Sequence, residues 1–165
     1  MIEILKQYLP LCWYEHQPLE LTRSSSFFKK NLLFYFVIEY FMQANMTDDP
    51  FESFTEVAVQ IILALIFIGL LLRLNKSLYA YLQVTTAILV TSNAIALFVV
   101  PVLIWLTVDE DILSYYCLGL LFLWELTVIG YIFKRSLQIN TAASVVVAFL
   151  YFIITYLGAF ALGQM

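Results

Sequence analysis

Apolar positions along the chain gather into five long segments divided by short polar ones. The first runs from Phe27 or Asn31 to Met46, the second from Phe54 to Leu72, and the third from Leu78 to Val108. The fourth covers Ile112 to Phe133 and the fifth Thr141 to Leu162. A helix rises about 1.5 Å per residue, so roughly 20 apolar residues cross a hydrocarbon core about 30 Å thick. The second, fourth and fifth segments meet that length directly. The third has 31 residues and would extend about 46 Å as one helix. Its length predicts that Pro101 kinks or ends it, leaving Val102 to Val108, with Trp105, at the outer interface. The first segment is short: Asn31 to Met46 gives 16 residues and includes Glu39. It spans only if Phe27 and Phe28 join the helix and Lys29 and Lys30 snorkel back to water.

Residues 1–26 form a lead of different character. Ile2, Leu5 and Leu9 recur at helical spacing among Glu3, Lys6 and Gln7 until Pro10 interrupts the pattern. The stretch reads as a short interfacial helix or an unordered tail. Leu11, Cys12, Trp13 and Tyr14 suit the headgroup level, and Pro18 with Ser24-Ser25-Ser26 reads as a flexible approach to the first span. A basic region followed by an apolar stretch and a cleavage site is missing from the start of the chain, so no secretory signal is expected to be removed. The domain reading is therefore a cytoplasmic lead, 1–26, and a transmembrane domain, 27–165.

Composition excludes the main soluble classes. Of 165 residues, 63% are hydrophobic and 12% charged, with a mean hydropathy of +0.91, too apolar for a water-facing surface or a disordered chain. The net charge of -4 matters less than its placement. Lys6, Arg23, Lys29 and Lys30 precede the first segment, Arg73 and Lys76 separate the second from the third, and Lys134 and Arg135 separate the fourth from the fifth. The alternate loops carry Asp48, Asp49 and Glu52, then Asp109, Glu110 and Asp111. Five crossings put every cation on one side, which the positive-inside rule assigns to the cytoplasm, with the N-terminus in and the C-terminus out. The expected fold class is thus an all-α integral membrane bundle of five transmembrane helices, in a bacterial inner membrane. Nucleic acid is not an expected partner, since no basic patch occurs. Cys12 and Cys117 fall on opposite sides in this topology and are expected to remain separate thiols.

Charged side chains at membrane depth are functional candidates. Glu39 and Glu125 each lie nine positions from a basic residue of the inner boundary, Lys30 and Lys134, which places both about 13 Å above it. Two carboxyls from different helices share one level. Facing each other in an apolar site, they would not both stay ionised, and such a pair can pass protons or hold a cation. The alternative is that each is a neutral acid bonded to a neighbouring helix or a partner protein. On the third segment Gln83, Thr86, Val90 and Asn93 fall on one helical face, expected to point inward as interhelical glue or as the lining of a substrate path. Gln60 on the second segment reads the same way. Ala148, Thr155 and Ala159, with Gly163 four residues beyond Ala159, permit close packing within the chain or between two copies. Gly119 and Gly130 offer similar contacts on the fourth segment. His16 is the sole histidine, and neither a phosphate loop nor a nucleophile elbow occurs among five glycines, so no catalytic centre, metal site or cofactor is expected.

The five closely spaced spans, the acidic loop Thr47-Asp48-Asp49-Pro50 and the third span's Phe98-Val99-Val100-Pro101 resemble the layout of bacterial Yip-domain proteins, a family of small polytopic membrane proteins. The resemblance covers roughly residues 27–163 and implies a five-helix membrane fold; in eukaryotic members it implies a role in membrane traffic through small GTPases, a partner that a bacterial-looking chain would not inherit. It carries no functional residue over to this sequence. The expected role is that of a non-enzymatic accessory, scaffolding or lipid-organising protein whose partners are the bilayer and a membrane protein or a second copy. The alternative is a small proton- or cation-coupled transporter or channel-like subunit built on Glu39 and Glu125.

Overall fold

A computed structural model describes residues 2–45, 49–109 and 111–163. The loop residues Thr47 and Asp48, Met46 at the end of the first expected span, Glu110 and both chain ends lie outside the described residues. The described chain is all-helical: α1 Ile2–Tyr8, α2 Ser25–Ala44, α3 Pro50–Leu74, α4 Tyr81–Val108, α5 Ile112–Leu137, α6 Thr141–Phe152 and α7 Gly158–Gly163. A π-helical turn, Ile153–Leu157, joins α6 to α7 without a break.

Local chemistry sets the helix starts. Ser24 caps α2 by accepting from the Phe27 amide at 3.2 Å. Asp49, Asp111 and Asn140 cap α3, α5 and α6 in the same manner, each satisfying an amide that the first helical turn leaves without a backbone partner. The serine run expected to be a flexible approach is instead the start of α2, because the Ser24 hydroxyl is a better cap than linker.

Four helical stretches are long and apolar enough to cross a membrane: Pro50–Leu74, Leu78–Val108, Ile112–Leu137 and Thr141–Gly163. Four of the five expected spans meet that criterion. The exception is α2, since any part of it long enough to span contains Lys29, Lys30 and Glu39 together. Pro101 does not end the third span. The helix passes through it to Val108, losing only the one backbone bond that proline cannot donate.

α4 is the centre of the bundle. Of its most apolar window 56% is buried, against 22% in α3 and in α5. Every residue from Val84 to Asn93 is buried, so the polar positions share their inward orientation with apolar ones on all sides. α2 and α5 pack on α4, α6 on α5, and α3 on α2, α4 and α7. The small residues are used within the chain. A side chain on Gly130 would meet the Ser144 carbonyl at 3.7 Å and the Ala148 methyl at 3.8 Å, whereas Gly119 faces open space.

The lead is part of this core. Tyr8, Leu11 and Leu21 join the main apolar cluster with Val84, Ile129 and Phe133. Gln83 holds it down: its Nε2 donates to the Leu19 and Leu21 carbonyls at 2.9 and 2.6 Å, and its Oε1 accepts from Arg23 Nε at 2.9 Å. From α5, Trp124 Nε1 donates to the Cys12 carbonyl and the Tyr131 hydroxyl to the His16 carbonyl, each at 3.1 Å. The unordered tail gives way to a docked segment, since these carbonyls find donors on α4 and α5, with Leu11 and Cys12 buried and Trp13 and Tyr14 exposed. The contacts collect basic residues at one end of the bundle. Arg23 lies over the Tyr79 ring, and a surface hollow is lined by Gln17 and Leu19 of the lead with Lys134 and Arg135.

Candidate functional site: a carboxyl and tyrosine cluster inside the bundle

α2 and α3 are antiparallel neighbours joined by a short connection, so residues equally distant from the turn near Asp49 face one another. Two Glu-x-x-x-Gln spacings lie across that seam: Glu39 and Gln43 on α2, Glu56 and Gln60 on α3. Residues four apart share a helix face, and the antiparallel arrangement sets each carboxyl against the other helix's amide. Gln43 Nε2 donates to Glu56 Oε2. Gln60 Nε2 donates to the Tyr35 hydroxyl at 3.1 Å and approaches Glu39 Oε2 at 3.5 Å. Glu56 and Gln60 are buried. Glu56 also meets the end of α7, where a side chain on Gly163 would fall 2.5 Å from its Cγ. Only glycine admits that approach, so the small residue sequence reading assigned to helix packing serves to seat a carboxyl.

Glu39 does not sit alone. Tyr35, one turn before it on α2, shares the Gln60 amide with it, and Glu125 of α5 is close enough to act on it electrostatically. The Ser92 hydroxyl of α4 donates to Glu125 Oε1 at 2.6 Å. Tyr151 of α6 and Tyr156 of the π-helical turn are within the same electrostatic field. Helices α2 to α6 and the π-helical turn all contribute to the cluster. The extra residue of a π-helical turn rotates the helix beyond it, and such turns occur often at functional sites; here the turn carries Thr155, whose hydroxyl donates back to the Tyr151 carbonyl at 2.7 Å.

The chemistry of such a cluster is that of protons. Carboxyl and phenol groups donate and accept, while amides relay orientation but no charge. No Lys or Arg lies between Asn31 and Leu72 or between Ser77 and Phe133, so positive charge to balance two carboxylates must come from a proton or a bound cation. The seam extends the cluster toward the acidic end of the bundle through Gln60, Glu56 and Gln43.

The other sequence candidates are placed elsewhere. Gln83 is occupied by the lead. The Thr86 hydroxyl donates to the Leu82 carbonyl of its own helix at 2.6 Å. Asn93 Nδ2 donates to the Asn31 carbonyl of α2 at 3.1 Å, and its buried Oδ1 has no partner among the described residues. Pro101 lies beyond the cluster on α4. Sequence reasoning missed Tyr35, Gln43, Glu56, Ser92, Tyr151 and Tyr156. The doubled Glu-x-x-x-Gln spacing across a short turn would have revealed Gln43 and Glu56; the tyrosines are hidden among 11 in the chain.

Comparison with protein-family models, with curated proteins and with solved structures finds no match to this chain.

Proposed function

We propose that this chain is a multi-pass membrane protein of five crossings, in a bacterial inner membrane, that takes up and passes protons through the Glu39 and Glu125 cluster, as a small proton-coupled carrier or channel-like subunit. Four crossings rest on length and composition. The fifth, α2, is supported by its 20 residues, about 30 Å of helix, and by its pairing with α3 from Tyr35 to Gln43. Lys29 and Lys30 then reach the basic end, which the positive-inside rule makes cytoplasmic. The Yip-like layout agrees with five helices and adds no functional residue.

The observation that carries the reading is the meeting of two carboxyls and three tyrosines from four helical segments in a region without a basic side chain. Carboxyls at membrane depth are costly to bury, and such groups mark functional sites by default. A second reading, the non-enzymatic accessory or scaffolding protein, is favoured by the tightness of the surroundings: the hollow lined by Tyr35, Ile61, Leu89 and Tyr151 measures about 10 Å³, too little for a hydrated path. Reconstituted vesicles under an imposed pH gradient separate the two. The first reading predicts proton flux that falls about a hundredfold, the usual low end for losing a proton-transfer group, in Glu39→Gln and in Glu125→Gln. Flux at the level of empty vesicles, or unchanged flux in the double variant, supports the accessory role instead.

A further inference from the structure

Away from the carboxyl cluster, an apolar groove of about 480 Å³ opens between α1 on one side and α2 with α4 on the other. Its walls include Leu5, Leu9, Phe34, Val90 and Leu97, and the charged residue on its lining is Lys30. A smaller hollow of about 240 Å³ adjoins it, sharing Phe27 and Lys30 and adding the hydroxyl-bearing Ser24 and Ser26. The two differ in kind: an apolar groove and a more polar hollow, with Ser24 and Ser26 beside Ile4, meet at Phe27 and Lys30.

We propose that this pair of cavities binds an anionic phospholipid of the surrounding bilayer, one acyl chain in the groove and the phosphate in the chamber beside Lys30. Three features favour a lipid. The volume lies in the range of small-molecule sites, not of a helix-sized surface. Apolar walls demand an apolar occupant, since Phe34 and Leu97 are 47% and 62% exposed along it and water there is unfavourable. Lys30 supplies a cation where the chain meets the chamber, and a phosphate is the lipid group that complements it. The lead gives the site its form: α1, tied to the docked segment through the Tyr8 hydroxyl on the Thr22 carbonyl and the Thr22 hydroxyl on Gln7, is the wall that makes a groove out of the α2 and α4 surface. The proposal rests on the membrane reading but not on proton transport.

Native mass spectrometry of the full chain in a non-ionic detergent, with phosphatidylglycerol and phosphatidylcholine of identical acyl chains, tests it. The protein retains phosphatidylglycerol in preference by roughly fivefold, the fold-change corresponding to one lysine at an anionic headgroup. Lys30→Gln removes the preference while some lipid of both kinds remains, and Lys30→Arg keeps it. Leu97→Trp, a substitution at an exposed position, fills the groove and displaces both lipids. Equal retention of the two lipids by the unaltered protein, or undiminished retention in Leu97→Trp, overturns the proposal. Either result leaves proton flux untouched, so failure here is distinct from failure of the carboxyl cluster to carry protons.

Discussion

The basic end of the bundle and its interior both rely on buried polar side chains, and they use them differently. At the basic end, most of the bonds that dock the lead run from side chain to backbone: Gln83 to Leu19 and Leu21, Trp124 to Cys12, Tyr131 to His16 and Tyr8 to Thr22, with Arg23 to Gln83 joining two side chains. Around the interior carboxyls, side chains bind one another: Gln43 to Glu56, Gln60 to Tyr35 and Glu39, Ser92 to Glu125. A backbone carbonyl neither titrates nor changes partner, so the first kind of contact fixes the chain in place. Carboxyls and phenols exchange protons, so the second kind has more than one state. The difference separates a structural region from a chemical one, although their residue types overlap.

The strongest way to break the comparison is at Gln83. Gln83→Leu strips two carbonyls of their donor and Arg23 of its acceptor, at a cost of about 3 kcal/mol. The lead then exchanges amide hydrogens and is cleaved by protease far faster than the bundle, while proton flux through the interior stays near its original level. A parallel loss of flux would show the two regions to be one. A smaller effect concerns Cys12, which is buried at the same end. Burial pushes its thiol up from 9.0 to about 11, so it is expected to react slowly with alkylating reagents at neutral pH. Below pH 9 both folded and unfolded lead carry the protonated thiol and docking is insensitive to pH. Between 9 and 11 only the unfolded lead loses the thiol proton, so the Cys12 contribution to docking weakens as pH rises and levels off above that window, while buried Tyr8, pushed up from 10.0 to about 12, extends the weakening between 10 and 12. Thiol alkylation rates and amide exchange across this range check both statements, and Cys12→Ser removes the thiol's share and leaves that of Tyr8.

Hydrophobic patterning located the long helices because segments of that length have few alternatives in a membrane. The second and fourth apolar segments became α3 and α5: α3 starts four residues before its apolar limit, where Asp49 supplies the cap, and α5 starts at its apolar limit behind the Asp111 cap and runs four residues past the far one. Patterning missed the burial of the lead, where Leu11 and Cys12 read as interfacial but are packed in the core: burial there depends on Gln83, Trp124 and Tyr131, residues more than 60 positions away. It also failed to rank the polar positions of α4. A helix buried on all sides has no polar face to distinguish, and Gln83, Thr86 and Asn93 met three different partners. Glu39 and Glu125 were legible because a charge at membrane depth stands out; their tyrosine and serine companions were not, because those residue types occur throughout apolar helices.

The central claim is that Glu39 and Glu125 form one site whose protons are shared. Infrared titration of the carboxyl groups in the reconstituted protein reads it directly, with the two residues identified from Glu39→Gln and Glu125→Gln. If they share a site, the Glu125 band in Glu39→Gln titrates with a midpoint displaced by more than about one pH unit from its position in the unaltered protein. A Glu125 band that keeps its midpoint when Glu39 is replaced would mean two independent carboxyls, and the account would be contradicted.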